Sequence, residues 1–86
     1  MSNLNNIPEN KGQIVDINGV PTAVFNNHGK LQGFSTACPH LGCDVAWNDG
    51  ENTWDCPCHG SRFEADGKLI NGPAERGLDP VQYKII

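Results

Sequence analysis

The chain has 86 residues, 19% of them charged, and a formal net charge of -4. A domain this short buries too little apolar surface to be stable easily without a disulfide, a metal or a partner. Lys and Arg form no basic run, which excludes the electrostatic surface of a nucleic-acid-binding protein. No apolar run approaches the roughly 20 residues that cross a bilayer, and no secretory signal begins the sequence. We therefore expect a cytoplasmic monomer without a membrane span.

The N-terminal half of the sequence predicts three short strands. Residues 1–10 are polar and Asn-rich, and we expect them to be a flexible lead-in to a single domain that spans the whole chain, 1–86. Asn18-Gly19 is the strongest short-range signal for a β-hairpin, and apolar, β-branched segments lie on both sides of it. A second turn contains His28, which we expect to be an exposed surface residue. The strands are predicted at 13–17, 20–25 and 31–36.

The C-terminal half predicts shorter strands. The segments 44–47 and 53–55 flank a polar loop whose Asn, Asp and Gly residues are typical of a hairpin turn. Further strands are predicted at 62–64, 69–70 and 81–86. No window of a dozen residues has helical periodicity, so the predicted fold class is all-β.

Two six-residue segments lie at the outer ends of the predicted hairpin. The first box is Cys38-Pro39-His40-Leu41-Gly42-Cys43, and the second box is Cys56-Pro57-Cys58-His59-Gly60-Ser61. Each box offers one thiolate and one imidazole, at Cys-x-His in the first and Cys-x-x-His in the second. Two loops at the ends of one hairpin can face each other, and together they supply the two pairs of ligands that a [2Fe-2S] core needs.

Two other uses of these cysteines and histidines are open at this point. A structural zinc site favours arms that each contribute like ligands, whereas both boxes here mix Cys with His. Two disulfides are common for four cysteines in a short secreted chain, but they leave a histidine in each box unexplained. The spacing favours the iron-sulfur cluster over both alternatives.

The two boxes in succession resemble the Rieske iron-sulfur family, and Gly72-Pro73-Ala74 resembles the proline loop that shields the cluster there. The resemblance implies a Rieske-type antiparallel β sandwich with a small inserted cluster-binding subdomain at about 37–75. It also implies one [2Fe-2S] cluster per chain, and one-electron transfer without a catalytic activity of the chain's own.

Carried over residue by residue, the resemblance assigns four ligands. Cys38 and Cys56 would bind the buried ferric iron, and His40 and His59 would bind the outer, reducible iron. Leu41, which lies between a ligand and a glycine, would cap the cluster against water.

The remaining cysteines and two nearby side chains bear on the redox properties. With the other two cysteines engaged, Cys43 and Cys58 are left to form a disulfide that clamps the boxes, as in quinol-oxidising relatives. Ser61 matches a serine that donates to a bridging sulfide, which raises the reduction potential. Phe63 stands where high-potential members have a donating Tyr. We therefore expect a potential within the family's window of about -150 to +300 mV, below its quinol-oxidising end.

The partner is expected to be a redox protein or a flavin domain. The chain would pass electrons as a soluble carrier, or as the Rieske domain of a larger FAD-dependent oxidoreductase. Arg62 and Arg76 flank the boxes, and we expect ordinary surface ion pairs with Glu64 or Glu75 rather than a docking surface.

Overall fold

The computed structural model describes residues 7–37, 43–58, 60–72 and 74–81. Within these ranges the chain forms β-strands and no helix, and hence no helix that could cross a membrane. The strands are β1 (Gly12–Ile17), β2 (Val20–Asn27), β3 (Lys30–Ser35), β4 (Ala46–Asn48), β5 (Thr53–Asp55), β6 (Arg62–Glu64) and β7 (Leu69–Asn71). Strands β1 to β3 form one antiparallel sheet, and β4 to β7 form a second. The predicted all-β class is confirmed.

Two tight turns set the register of the first sheet. Asn18 and Gly19 have φ of 53° and 85°, and His28 and Gly29 have φ of 53° and 93°. Positive φ at both central residues is the hallmark of a type I′ turn, whose twist matches that of the strands it joins. His28 is exposed in this turn, which agrees with its predicted place on the surface.

The two faces of the first sheet are covered differently. Val15 and Val24 lie on the outer face, where Ile7, only 3% exposed, packs against them. The side-chain amide of Asn26 donates to the Ile7 carbonyl over 2.7 Å, and the Asn10 amide donates to the Asn26 carbonyl. The end of the predicted lead-in thus contacts β2, whereas residues 1–6 lie outside the described ranges.

The main core lies between the two sheets. Trp54 and Phe63 from the second sheet are completely buried, and the Trp54 indole N–H donates to the Ala65 carbonyl over 3.0 Å. Trp47 meets Trp54 edge to face with 4.8 Å between ring centroids. The buried members of this core are Ala23, Phe25, Phe34, Val45, Trp54, Cys56, Phe63, Ala74 and Leu78. One core therefore unites the sheets.

The second sheet is an insertion into the first. After β4 to β7 the chain returns to the free edge of β3, where the Ser35 amide donates to the Asp79 carbonyl over 2.7 Å. The Val81 amide then donates to the Gly33 carbonyl over 3.1 Å. The predicted strand at 81–86 lies outside the described residues from position 82 onward.

Gly12 of β1 lies against two tryptophans of the second sheet. A Cβ there would lie 2.7 Å from Trp47 Cε3 and 2.7 Å from Trp54 Cζ2. Since two packed indoles cannot both move aside, we expect Gly12→Ala to destabilise the protein by about 1–3 kcal/mol, the usual cost of overpacking. The melting temperature of the holoprotein, followed by tryptophan fluorescence, measures the effect.

Gly50→Ala is the matched control for this substitution. Among the described residues, chain neighbours apart, the one atom within 4 Å of its added Cβ is Asn48 Oδ1, at 3.5 Å. We expect this variant to melt within a degree or so of the wild type or slightly above it, because Ala restricts the unfolded chain. Equal melting temperatures for the two variants would show that the indoles do not pack against Gly12.

Candidate metal centre

The first box is a loop whose base is closed by antiparallel contacts. Ala37 and Asp44, the residues on either side of it, form an isolated β-bridge. The Val45 amide donates to the Thr36 carbonyl over 2.8 Å, and the Thr36 hydroxyl donates to the Asp44 carboxylate over 3.2 Å. Both ends of the box are therefore held together, although residues 38–42 themselves lie outside the described ranges.

The second box is the connection between β5 and β6, and its base is closed in the same way. The Cys56 amide donates to the Ser61 carbonyl over 2.8 Å, and the Gly60 amide donates to the Cys56 carbonyl over 3.1 Å. Gly60 has φ of 85°, a conformation that side-chain-bearing residues rarely adopt. The pair Asp55 and Arg62 follows directly below in the ladder.

The hairpin of β4 and β5 places both boxes at the same end. Trp47 pairs with Trp54 in its ladder, so the first box precedes one strand of the hairpin and the second box follows the other. A disulfide joins Cys43 of the first box to Cys58 of the second, with a Cα–Cα distance of 6.4 Å. The predicted disulfide is confirmed.

Among the cysteines that the structure describes, one has a free thiol. Cys56 is 2% exposed, has no disulfide partner and belongs to the core between the sheets. The other predicted cluster-contacting residues, Cys38, His40, Leu41 and His59, lie outside the described residues. The structure therefore places one predicted ligand, Cys56, at the inner end of a closed loop.

Ser61 has a hydroxyl suited to a sulfide acceptor. Its side chain is fully buried, and its Oγ accepts a hydrogen bond from the Ala74 amide over 3.0 Å. Among the described residues no acceptor takes the hydroxyl proton of Ser61. A buried donor normally has a partner, so a buried thiol and a hydroxyl without an acceptor among the described residues, both in one loop, fit an iron-sulfur group.

Beside the second box lies a polar network that the sequence did not predict. The Asp55 carboxylate accepts hydrogen bonds from Asn48 Nδ2 at 2.8 Å, Thr53 Oγ1 at 2.7 Å and Arg62 Nε at 3.2 Å. Partial burial raises the pKa of Asp55, but these hydrogen bonds and the positive charge of Arg62 outweigh it, so the pKa lies below its usual value. The carboxylate is therefore ionised at neutral pH.

The expected ion-pair partners of the two arginines were wrong. Arg62 pairs with Asp55 at 3.2 Å and with Glu51 at 3.8 Å, and Arg76 pairs with Asp79 at 3.0 Å. Residues two apart on a strand share a face but lie farther apart than direct cross-strand neighbours. Arg62 therefore reaches across to the next strand. The three-residue strands β5 and β6 are too short for their sequence pattern to have predicted this contact.

Comparison with known proteins supports the geometry. The sequence model of the Rieske [2Fe-2S] domain family matches residues 1–82 of this chain. The Rieske 2Fe-2S iron-sulfur protein YhfW of Bacillus subtilis (strain 168) is 47% identical over 76 residues, which cover 87% of this chain and 15% of that one. The cytochrome b6-f complex iron-sulfur subunit of Synechococcus sp. (strain JA-3-3Ab) is 48% identical over 71 residues, 80% of this chain and 41% of that one.

A solved structure has the same architecture. The plasma membrane Rieske protein of the cyanobacterium Synechocystis PCC 6803 superimposes with a TM-score of 0.71 and 31% identity, over 88% of this chain and 79% of that one. The chain spans less than half the length of the two curated relatives. Because the family model matches nearly the whole chain, the chain belongs to the Rieske [2Fe-2S] family, whose domain binds a [2Fe-2S] cluster.

Proposed function

We propose that this chain transfers single electrons through one [2Fe-2S] cluster held between the two boxes, with Cys38, His40, Cys56 and His59 as the ligands. The observation that carries the proposal is the pairing of the cysteines: a disulfide uses one cysteine of each box. Cys56 remains as a free and buried thiol in the second box. One cysteine and one histidine per box then remain for the metal, which is the donor set of a Rieske centre.

Each ligand pair has a separate role in this proposal. Cys38 and Cys56 would hold one iron, and the burial of Cys56 fits a thiolate kept from water. His40 and His59 would hold the other, reducible iron, with their second ring nitrogens available to solvent or to a partner. When bound, the cluster would supply one-electron redox chemistry. The protein's part is to hold the ligands rigidly and to keep water away from the inner side.

Two further residues are proposed to contact the cluster. The Ser61 hydroxyl would donate to a sulfide, since its oxygen accepts the Ala74 amide and its proton has no acceptor among the described residues. Such a donor stabilises the reduced state and raises the potential. Leu41 covers the cluster on the side of the first box. Both roles follow from the family resemblance, and the buried position of Ser61 supports the first.

The relatives support two settings for the same activity. The Bacillus subtilis relative includes the matching segment as a small part of a much longer chain, and the Synechococcus relative is a subunit of a cytochrome complex. We propose that a redox protein or a flavin domain exchanges electrons with this chain, as a carrier or as a domain of a larger oxidoreductase. The cytoplasmic location and the monomeric state stay predictions.

Substitution of either proposed histidine ligand tests the site. We expect His40→Ser and His59→Ser to lose the visible absorption of the cluster and its two irons, since each variant lacks one of the four ligands. Iron and acid-labile sulfide assays, with visible spectra of the purified protein, measure the loss.

The third histidine supplies the control. His28→Asn keeps a residue that tolerates the positive φ of the turn, and it should retain the full spectrum and iron content. A wild-type protein that is colourless and contains zinc would refute the proposal, and so would full cluster content in both ligand variants.

Phe63→Tyr tests the predicted effect of hydrogen bonding on the reduction potential. Phe63 is fully buried in the same core as Cys56, so an added hydroxyl must find an acceptor there. We expect the hydroxyl to donate to a ligand sulfur and to raise the potential in a redox titration. Phe63→Leu, which adds no donor, is the control, and an unchanged potential in the Tyr variant would contradict the hydrogen-bond explanation.

A further inference from the structure

A polar cluster crosses the strands that enter and leave the second box. We name it the Asp55 clamp, and it consists of Asn48, Thr53, Asp55 and Arg62. Besides the three hydrogen bonds to the Asp55 carboxylate, Arg62 Nη2 donates to Thr53 Oγ1 over 3.2 Å. Asn48 also accepts the Gly50 and Glu51 amides through its Oδ1, so the clamp is tied to the hairpin turn as well.

The position of the clamp relative to the second box is fixed by the β-ladder. Asp55 directly precedes Cys56, Arg62 directly follows Ser61, and the two clamp residues are a cross-strand pair in β5 and β6. If Asp55 and Arg62 moved apart, the two ends of the second box would move apart as well. The clamp therefore controls the separation of a proposed ligand from a proposed hydrogen-bond donor.

The same two strands are held from their other face by packing. Trp54 and Phe63 alternate with the clamp residues, pair with each other across the ladder and are fully buried. The side chains of Arg62 and Asp55 are 36% and 33% exposed, so water screens their interaction only in part. An isolated surface ion pair contributes little, but a pair inside a hydrogen-bond network with fixed geometry contributes more.

The clamp also places two opposite charges at the base of the second box, which would hold the proposed cluster. Reduction adds one negative charge there, which a nearby carboxylate disfavours and a nearby guanidinium favours. With Arg62 Nε 3.2 Å from the Asp55 carboxylate, the two effects largely cancel. Removal of either charge alone would leave the effect of the other charge on the reduction potential less fully compensated.

We propose that Asp55 and Arg62 are positioning residues that hold Cys56 and Ser61 in place and that balance their charges so as to tune the reduction potential. This proposal rests on the proposed function, because the potential is that of the cluster. It assigns a role in redox tuning to the outer face of the second sheet, and it places no new ligand at the metal.

A charge cycle on the holoprotein tests the proposal. We expect Asp55→Asn to raise the reduction potential, Arg62→Gln to lower it, and the double variant to return close to the wild type. Redox titrations at low ionic strength, repeated at high ionic strength, should show shifts that shrink with salt. If the two residues had a purely structural role, their substitutions would not shift the reduction potential in opposite directions. Shifts in the same direction, or none, would overturn the electrostatic part.

An ion pair at the turn of the hairpin, which does not involve the clamp residues, provides matched controls. Lys11 and Asp49 lie 3.3 Å apart at the turn between β4 and β5, at the opposite end of the hairpin from the boxes. Lys11→Gln and Asp49→Asn make the same chemical changes there and should leave the potential nearly unchanged. Shifts as large as those of the clamp variants would overturn the local explanation.

The positioning role has its own readout. We expect Asp55→Asn and Arg62→Gln to release the cluster several-fold faster than Asp49→Asn, measured as the decay of visible absorption at a fixed elevated temperature. Arg62→Lys keeps the charge without the branched geometry, so it should keep the wild-type potential but release the cluster faster. Release at the wild-type rate from all three clamp variants would overturn the positioning role.

The outcomes separate this proposal from the function on which it rests. A wild-type protein without a Rieske cluster would refute the proposed function, and the clamp would then have no redox role. A wild-type cluster with no response to the clamp variants would refute only the clamp. If one single variant binds no cluster, the double variant, which removes one positive and one negative charge together, still has to reproduce the wild-type potential.

Discussion

The register of the hairpin formed by β4 and β5 is the constraint on which the rest of the site depends. Two loops can supply ligands to one cluster only if their bases lie side by side, and the pairing of Trp47 with Trp54 places them so. A slip of one residue would place the two tryptophans on opposite faces of the sheet, so that one of them leaves the core, and it would shift the two boxes relative to each other along the hairpin. The register is supported at the turn by Asn48 and at the box end by the disulfide.

The two faces of the second sheet perform different tasks. On the inner face, Trp54 and Phe63 join the core that also contains residues of the first sheet, so the insertion cannot move independently of its base. On the outer face, a carboxylate and a guanidinium hold the same strands through hydrogen bonds. A loop fixed from both faces reorganises little when its bound group changes charge, and little reorganisation favours rapid electron transfer.

Much of the fold was predictable because its strongest signals are local. Asn18-Gly19 predicted a hairpin from two residues alone, and their positive φ values confirm it. The spacing of the cysteines and histidines likewise predicted the boxes without knowledge of the fold, and the disulfide between Cys43 and Cys58 was predicted correctly. The composition of the loop after β4 was sufficient to predict that hairpin.

Most of the missed features depend on pairs of residues that are not neighbours in sequence; the pairing of Arg76 with Asp79, three residues on, is the exception. The three-residue strands β5 and β6 are too short for alternation to show which side chains face outward, so Arg62 was assigned partners near it in the sequence. Its true partner, Asp55, requires the cross-strand register. The contact of Gly12 with two indoles and the hydrogen bond from the Ala74 amide to Ser61 join separate elements. Such contacts arise from packing, which no local pattern specifies.

The central claim is that two histidines and two cysteines hold the cluster between the boxes. The most direct measurement is electron-nuclear double resonance of the reduced protein labelled with ¹⁵N-histidine. We expect a rhombic signal with the low average g value of a histidine-ligated cluster and couplings from two distinct histidine nitrogens. A reduced cluster that shows no coupling to histidine nitrogen would contradict the claim.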